Sequence, residues 1–246
     1  MFGSEKILPY ESGEHKSAQI GRMFDAIAET YDTLNHTLSL GIDKGWRKKG
    51  IAFLRPFAPG SILDVATGTG DLALAMYETL HPRRITAIDL SEGMMEVGRR
   101  KAAEAGHAAH ISFERQDCLS LTYPDHSFDA VTSAFGVRNF EHIEQGIAEM
   151  YRVLKPGGHL MILELSHPRR FPVKQLYTLY SQTVIPWLGR LYSKENAAYR
   201  YLPASVKVVP QGTVMADILR RQGFIKVGVR TFTLGICSLY TGEKTK

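Results

Sequence analysis

The sequence predicts an α/β domain built on a mostly parallel sheet, and two patterns carry that prediction. Apolar runs at 61–65, 84–88, 110–115, 128–134 and 158–164 alternate with helical periodicity at 70–80, 92–105 and 143–154. Strands separated by helices form βαβ units, whose helices cover both faces of a parallel sheet. Further on, β-rich runs at 224–233 and 236–242 flank Gly235 closely enough to pair antiparallel. An antiparallel final strand is therefore expected.

The elements follow in order. Residues 1–16 are polar and expected to be mobile. A helical stripe of Ile20, Met23, Phe24, Ile27 and Tyr31 covers 17–32, and a second short helix is expected at 44–55, stopped by Pro56. The alternating core spans 57–165. The alternation breaks at 166–209, which holds Phe171, Tyr177, Tyr180, Trp187, Tyr192, Tyr199 and Tyr201 and reads as an insertion of amphipathic helices. A helix at 210–221 leads into the two closing strands. The chain is thus expected to form a single domain, 1–246, in four parts: 1–56, 57–165, 166–209 and 210–246.

The 246 residues suffice for a sizeable core, and 44% hydrophobic with 22% charged residues is ordinary for a globular chain. A formal charge of +5 favours an anionic ligand or surface without demanding one. Two cysteines, Cys118 and Cys237, are too few for a disulfide framework or metal site and are expected as buried thiols in a reducing compartment. The N-terminus has no signal-peptide pattern, and no apolar run reaches the length of a membrane span.

The stretch SILDVATGTGDLALAM, residues 61–76, carries the chemistry. A glycine turn from strand to helix exposes backbone N–H groups and the positive end of a helix dipole. A phosphate-binding loop needs Lys-Ser or Lys-Thr after the glycines, and Asp71 and Leu72 stand there instead. The dinucleotide fingerprint has three glycines, and this turn has two. Asp71 would oppose a pyrophosphate and suit a cationic ligand. Asp89 ends the next strand, about 20 residues on, where an acid holds ribose hydroxyls. Asp117 follows the third strand, placed to accept from an adenine amino group. A nucleoside pocket with no phosphate grip fits S-adenosylmethionine. The competing role for Asp89 and Asp117 is capping of helices and turns.

With these residues in view, 60–165 resembles a class I S-adenosylmethionine-dependent methyltransferase with a Rossmann-like sheet. YDTLNHTLSLGIDKGWRK (31–48), AFGVRNF (134–140) and YRVLKPGGHLMILELSHP (151–168) resemble the ubiquinone/menaquinone biosynthesis C-methyltransferases, and the resemblance spans about 18–243. It implies cofactor contacts at Asp64, Thr67, Gly68, Thr69, Gly70, Asp89, Leu90, Asp117 and the Cys118 backbone. Family members often carry Ser before the Phe-Gly pair. Here that position is Ala134, with Ser133 one residue earlier, which leaves a backbone contact.

The resemblance also implies the reaction: methylation of a ring carbon of a polyprenyl hydroquinone, with demethylmenaquinol favoured as acceptor over a ubiquinol precursor. A phenol ionises near pH 10, so a positive neighbour or base helps it. Arg138, beyond the fourth strand, is expected to stabilise the phenolate or order a water, the alternative being an ion pair with Glu141 or Glu144. Asn139 is expected to orient the acceptor or serve a turn. Tyr31, Asp32 and Asn35 lie in a segment expected to fold over the cofactor as a lid, with core packing as the alternative for Tyr31. His142 is a weaker candidate base. No metal-ligand spacing is present, so no metal is expected.

The insertion is expected to cover the acceptor. From 168 to 194 it carries Arg169, Arg170, Lys174, Arg190 and Lys194 and no acid, which suits either a membrane surface with anionic lipids or an ordinary lid. A cytoplasmic protein touching the inner face of the membrane follows, with homo-oligomerisation open. The competing readings are a methyltransferase for another small phenol, a sterol or a nucleic acid, a non-catalytic binding module, and a nicotinamide oxidoreductase. AFGVRNF lacks the prolines of base N-methyltransferases, and the acids and glycines that a binding module tends to lose are intact.

Overall fold

A computed structural model describes residues 2–192 and 196–246; for 185–192 and 196 it describes the backbone alone. The side chains of Trp187, Arg190 and Tyr192, and all of Lys194, therefore lie outside the described residues. In chain order the elements are α1 (Lys16–Leu38), α2 (Ile42–Leu54), β1 (Ser61–Val65), α3 (Asp71–Leu80), β2 (Arg84–Asp89), α4 (Glu92–Glu104), β3 (Ile111–Arg115), β4 (Phe128–Ala134), α5 (Ile143–Val153), β5 (Leu154–Leu165), α6 (Val173–Tyr192), α7 (Asn196–Val208), α8 (Thr213–Arg221), β6 (Ile225–Phe232) and β7 (Cys237–Glu243).

The seven strands form one sheet in the order β3-β2-β1-β4-β5-β7-β6. The first five run parallel, and β7 is antiparallel to both β5 and β6. The order reverses at β1/β4, where parallel α/β sheets open a crevice at their carboxyl ends. Alternate residues feed two cores, as the strand period requires. Leu63, Val131 and Ile162 pack with Ile147 and Met150 of α5 and Ile218 and Leu219 of α8. Ile62, Ala130 and Met161 pack on the other face with Ile51 and Leu54 of α2 and Met76 of α3. Helix α5 buries Ile143, Ile147 and Met150, one stripe at helical spacing.

Three expectations need correction. Helix α1 continues to Leu38, six residues past the expected end, because nothing before Gly41 breaks it; Gly41 then takes the left-handed turn (φ 74°) that starts α2. Strand β5 begins at Leu154 rather than 158. Pro156 and Gly157 form an irregularity in its pairing with β4, not a separate turn. The N-terminal stretch is docked rather than mobile. Ser4 and Glu5 are buried, and the Glu5 carboxylate accepts the backbone N–H of Ile143 at 2.7 Å. That donor belongs to the first turn of α5, where a helix leaves its N–H groups unpaired and favours an anion.

Candidate active site

The crevice lies where β1, β2 and β4 end. The cleft there, about 840 Å³ with its open mouth included, is walled by Asp64, Thr67–Thr69, Asp89, Leu90, Cys118 and Ala134. The turn after β1 is tightly specified. Gly68 and Gly70 have φ of 58° and 77°, which β-carbons disfavour. A Cβ on Gly70 would also stand 2.9 Å from the Phe113 ring. Gly70 thus packs the turn against β3 and does not line the cleft. Gly136, which does line it, brings the turn after β4 close to Ala66; a Cβ there would stand 2.5 Å from the Ala66 Cβ.

Four acids are expected at the cofactor: Asp89 at the ribose, Asp117 at the adenine, Asp71 near the charge, and Asp64 as a contact the resemblance implies. Asp89 sits at the rim with one oxygen accepting Gly68 N–H (2.8 Å) and the other Ser91 N–H (3.0 Å). Burial raises its pKa against these bonds, and each oxygen keeps a further lone pair for a ribose hydroxyl. Asp64 is buried beneath the turn and accepts from the Thr67 and Thr132 hydroxyls, both at 2.7 Å. Burial lifts its pKa to about 6. Asp117 does not line the cleft. Its carboxylate accepts Leu119 N–H at 2.9 Å and holds the turn, while Gln116 and Cys118 face inward.

Asp71 differs more from expectation. Instead of a free acid awaiting a cation, it is met by Lys101 at 2.5 Å and Arg47 at 3.3 Å. Burial pushes its pKa up, but these cations outweigh burial and hold it below the ordinary carboxylate range. Lys101 also pairs with Asp32 at 2.8 Å, and Asp32 accepts the Thr69 hydroxyl at 2.5 Å. Arg47 pairs with Asp43, which contacts His36 at 3.0 Å. One charged network thereby ties α1 and α2 to the glycine turn, α3 and α4. Among the described residues, His36, Asp43 and Asp71 bring possible metal-ligating atoms within 4.8 Å of one another. Arg47 and Lys101 already supply the positive charge there.

Helix α1 covers the cleft, with Ile20, Phe24 and Tyr31 in its wall. Beyond Tyr31, Arg47 and Phe135 opens a second chamber of about 750 Å³, walled by Trp46, Arg138, Tyr177 and Tyr180 among others. Those three residues line both spaces, so the two meet there. Trp46 is held by its indole N–H donating to Thr233 at 2.8 Å, and Tyr180 by donating to the Leu38 carbonyl at 2.7 Å. A third space of about 440 Å³ between α1 and α7 shares Tyr31, Asn35, Leu38, Arg138 and Leu202 with the second.

Arg138 is 5% exposed and its partner is Glu164 of β5, at 2.9 Å, not Glu141 or Glu144. Glu141 is taken by Ser17 and His15, and Glu144 by Arg221. Glu164 also accepts the backbone N–H groups of Arg138 (3.0 Å) and Leu165 (2.8 Å). Burial works against the Arg138 charge, and Glu164 outweighs it, so the pKa is raised. The pair is neutral as a unit. Arg138 therefore acts through its donors, and its buried Nε–H has no partner. Asn139 lines the first cleft with its Oδ1 unpartnered. Burial raises the Tyr31 pKa, which keeps the phenol protonated. His142 is exposed at the N-terminus of α5, outside these walls.

Arg47, Lys101 and Glu164 were not singled out from sequence. Arg47 and Glu164 lie inside stretches quoted above for their resemblance, which was the available signal. Lys101 stands in an ordinary charged helix and gave none.

Comparison with known proteins agrees with this geometry. The model of the ubiE/COQ5 methyltransferase family matches residues 12–244. A demethylmenaquinone methyltransferase of Bacteroides fragilis is 55% identical over 99% of both chains. One from Porphyromonas gingivalis is 46% identical over 99% of this chain and 100% of the other. A ubiquinone/menaquinone biosynthesis C-methyltransferase of Geobacter sulfurreducens is 43% identical over 97% and 93%. A solved methyltransferase from Thermotoga maritima superposes with TM-score 0.63 at 16% identity, covering 91% of this chain and 99% of that one, which shows the fold. The glycine turn, the acid at the end of β2 and the sheet order thus have their explanation: the chain belongs to the ubiE/COQ5 methyltransferase family.

Proposed function

We propose that this protein transfers the methyl group of S-adenosylmethionine to a ring carbon of a polyprenyl hydroquinone, converting demethylmenaquinol to menaquinol. The observation that carries this reading is the pair of spaces meeting at Tyr31, Arg47 and Phe135, a cleft lined by the glycine turn and Asp89 against an aromatic-walled chamber. The full-length relatives named for this reaction support the choice of acceptor.

The cleft fits the donor. Asp89 offers two acceptors to the ribose, the Cys118 backbone and Gln116 lie where adenine would, and buried Asp64 and unpartnered Asn139 Oδ1 favour positive charge. When bound, S-adenosylmethionine supplies an electrophilic methyl: the ring carbon bonds to it, the carbon–sulfur bond breaks, and S-adenosylhomocysteine leaves. The ring-carbon proton then passes to water, the C–H electron pair returns to the ring, and the product is left as its phenolate with aromaticity restored. The chain's own part is to favour the acceptor phenolate, through the Arg138 donors that Glu164 fixes, and to exclude water with α1 and the aromatic wall. Holding donor and acceptor in line can lower such a barrier by about 7–11 kcal/mol.

The same reading places the protein in the cytoplasm, touching the inner face of the membrane. No described helix is long and apolar enough to cross a membrane. Exposed Phe171, Leu176 and Leu179 stand beside exposed Arg169, Arg170 and Lys174, apolar groups among cations that suit an anionic lipid surface. Flotation with anionic liposomes at low salt tests this contact, and absence of binding overturns it. For the reaction, the test is methyl-labelled donor with reduced demethylmenaquinol and a reduced ubiquinol precursor. Label on the naphthoquinol ring carbon is expected. Label on both gives a dual acceptor range, and label on neither overturns the proposal.

A further inference from the structure

Tyr201 of α7 is 4% exposed, and its hydroxyl is buried without a hydrogen-bond partner. A buried hydroxyl left unpaired costs free energy, so its retention calls for a ligand that satisfies it. The ring lines the third space, whose wall also holds Arg138, Asn35 and Tyr31. That space adjoins the acceptor chamber, with Arg138 in both walls. Tyr201 and Arg138, each with a buried donor that has no partner, thus line one space.

Resting on the hydroquinone reading above, we propose that Tyr201 is a further acceptor-binding residue, donating a hydrogen bond to the ring oxygen that becomes the phenolate. Burial raises the Tyr201 pKa, so it remains a donor across the working pH range. The charged and titratable groups around it are Arg138 and Glu164, Lys16 of α1 with its ammonium 5.9 Å from the ring centre, and Tyr31 and Tyr199 in the same wall. A donor placed there stabilises the anion and lowers the pH at which the bound acceptor ionises. The insertion would then take part in the reaction besides covering it.

Tyr201→Phe removes the oxygen and keeps the ring. With demethylmenaquinol, the expected rate is about tenfold below wild type at pH 7, the lower end for a hydrogen bond to a charged group. The deficit should close toward pH 10, where the acceptor ionises unaided. Affinity for S-adenosylhomocysteine should be unchanged. Burial brings Lys16 to a pKa of about 8, but it titrates in both proteins and cancels in the ratio. A rate equal to wild type at every pH overturns the proposal, as does a deficit of the same factor at every pH. Absence of turnover in wild type overturns the acceptor reading itself. A second measurement needs no turnover: wild type should prefer 1-naphthol over naphthalene by a factor that falls about tenfold in Tyr201→Phe, and an unchanged preference overturns the proposal.

Discussion

Replacing Glu164 by glutamine keeps the side chain's size and removes its charge. Glu164 is 1% exposed and accepts three N–H groups, from Arg138 Nη1, the Arg138 backbone and the Leu165 backbone. Glutamine offers one oxygen and turns an amide NH2 toward donors that already need acceptors. The Arg138 guanidinium is left buried without its counter-charge. Breaking a buried pair by removing one partner costs about 3–5 kcal/mol. At this chain length that corresponds to a fall in Tm of roughly 6–20 °C. Thermal unfolding with and without S-adenosylhomocysteine measures the loss, and methyl transfer to the hydroquinone measures the effect on Arg138. The Arg138→Met/Glu164→Gln double variant removes both charges, keeps a side-chain oxygen at 164 for the backbone N–H groups, and should recover much of the stability while remaining inactive. A Tm within 2 °C of wild type for Glu164→Gln, or a double variant less stable than the single, refutes the account.

Further outcomes concern the cofactor cleft and the packing of its glycines against an exposed one in α2. Asp64 has its pKa raised to about 6 by burial, so without ligand it is largely protonated below that pH. A folded-state value above the unfolded one means that its protonated form favours folding. That contribution, about 3 kcal/mol for roughly two pKa units, is lost as pH rises from about 4 through 6. A cationic ligand reverses the preference, so S-adenosylmethionine affinity should climb about tenfold from pH 5 to pH 7 with proton release; a flat titration contradicts this placement. Gly136→Ala forces a Cβ to within 2.5 Å of the Ala66 Cβ at the cleft wall and should cost roughly 1–3 kcal/mol with weakened cofactor binding. Gly45→Ala, at an exposed position of α2 with nothing within 4 Å, should instead stabilise by up to about 1 kcal/mol; equal denaturation midpoints for the two variants would falsify the packing argument.

Much of the fold was legible because its signals are local. Strand and helix periods repeat along the chain, so the first four strands and the helices between them were bounded to within about a residue. The glycine turn was legible for the same reason: positive φ and a helix start leave a mark in consecutive residues. Asp89 could be placed from spacing because β2 pairs with β1 in parallel register, which brings its end beside Gly68. The misplaced ends of α1 and β5 lie where the signal was weakest. Asn, Thr and His can either continue or end a helix, and Pro-Gly-Gly can be a turn or an irregularity within a strand.

What only the tertiary structure decided is partnership. Asp71 lies 30 residues from Lys101, Arg138 lies 26 from Glu164, and Glu5 lies 138 from Ile143. No period links such pairs; they meet because the sheet order and the crossing of α1 over the crevice bring them together. An acid read from sequence has a charge but no neighbours. Asp71 suited a cationic ligand, Arg138 was open between a phenolate and an ion pair with Glu141 or Glu144, and Asp117 between adenine and a turn. Packing met the first with two cations, paired the second with Glu164 instead, and set one oxygen of the third on a turn. The sequence by itself determined the sheet, the turn and the residue types around it. The charge state and reach of each side chain depended on three-dimensional proximity, because electrostatic interaction and burial follow distance through space and not distance along the chain.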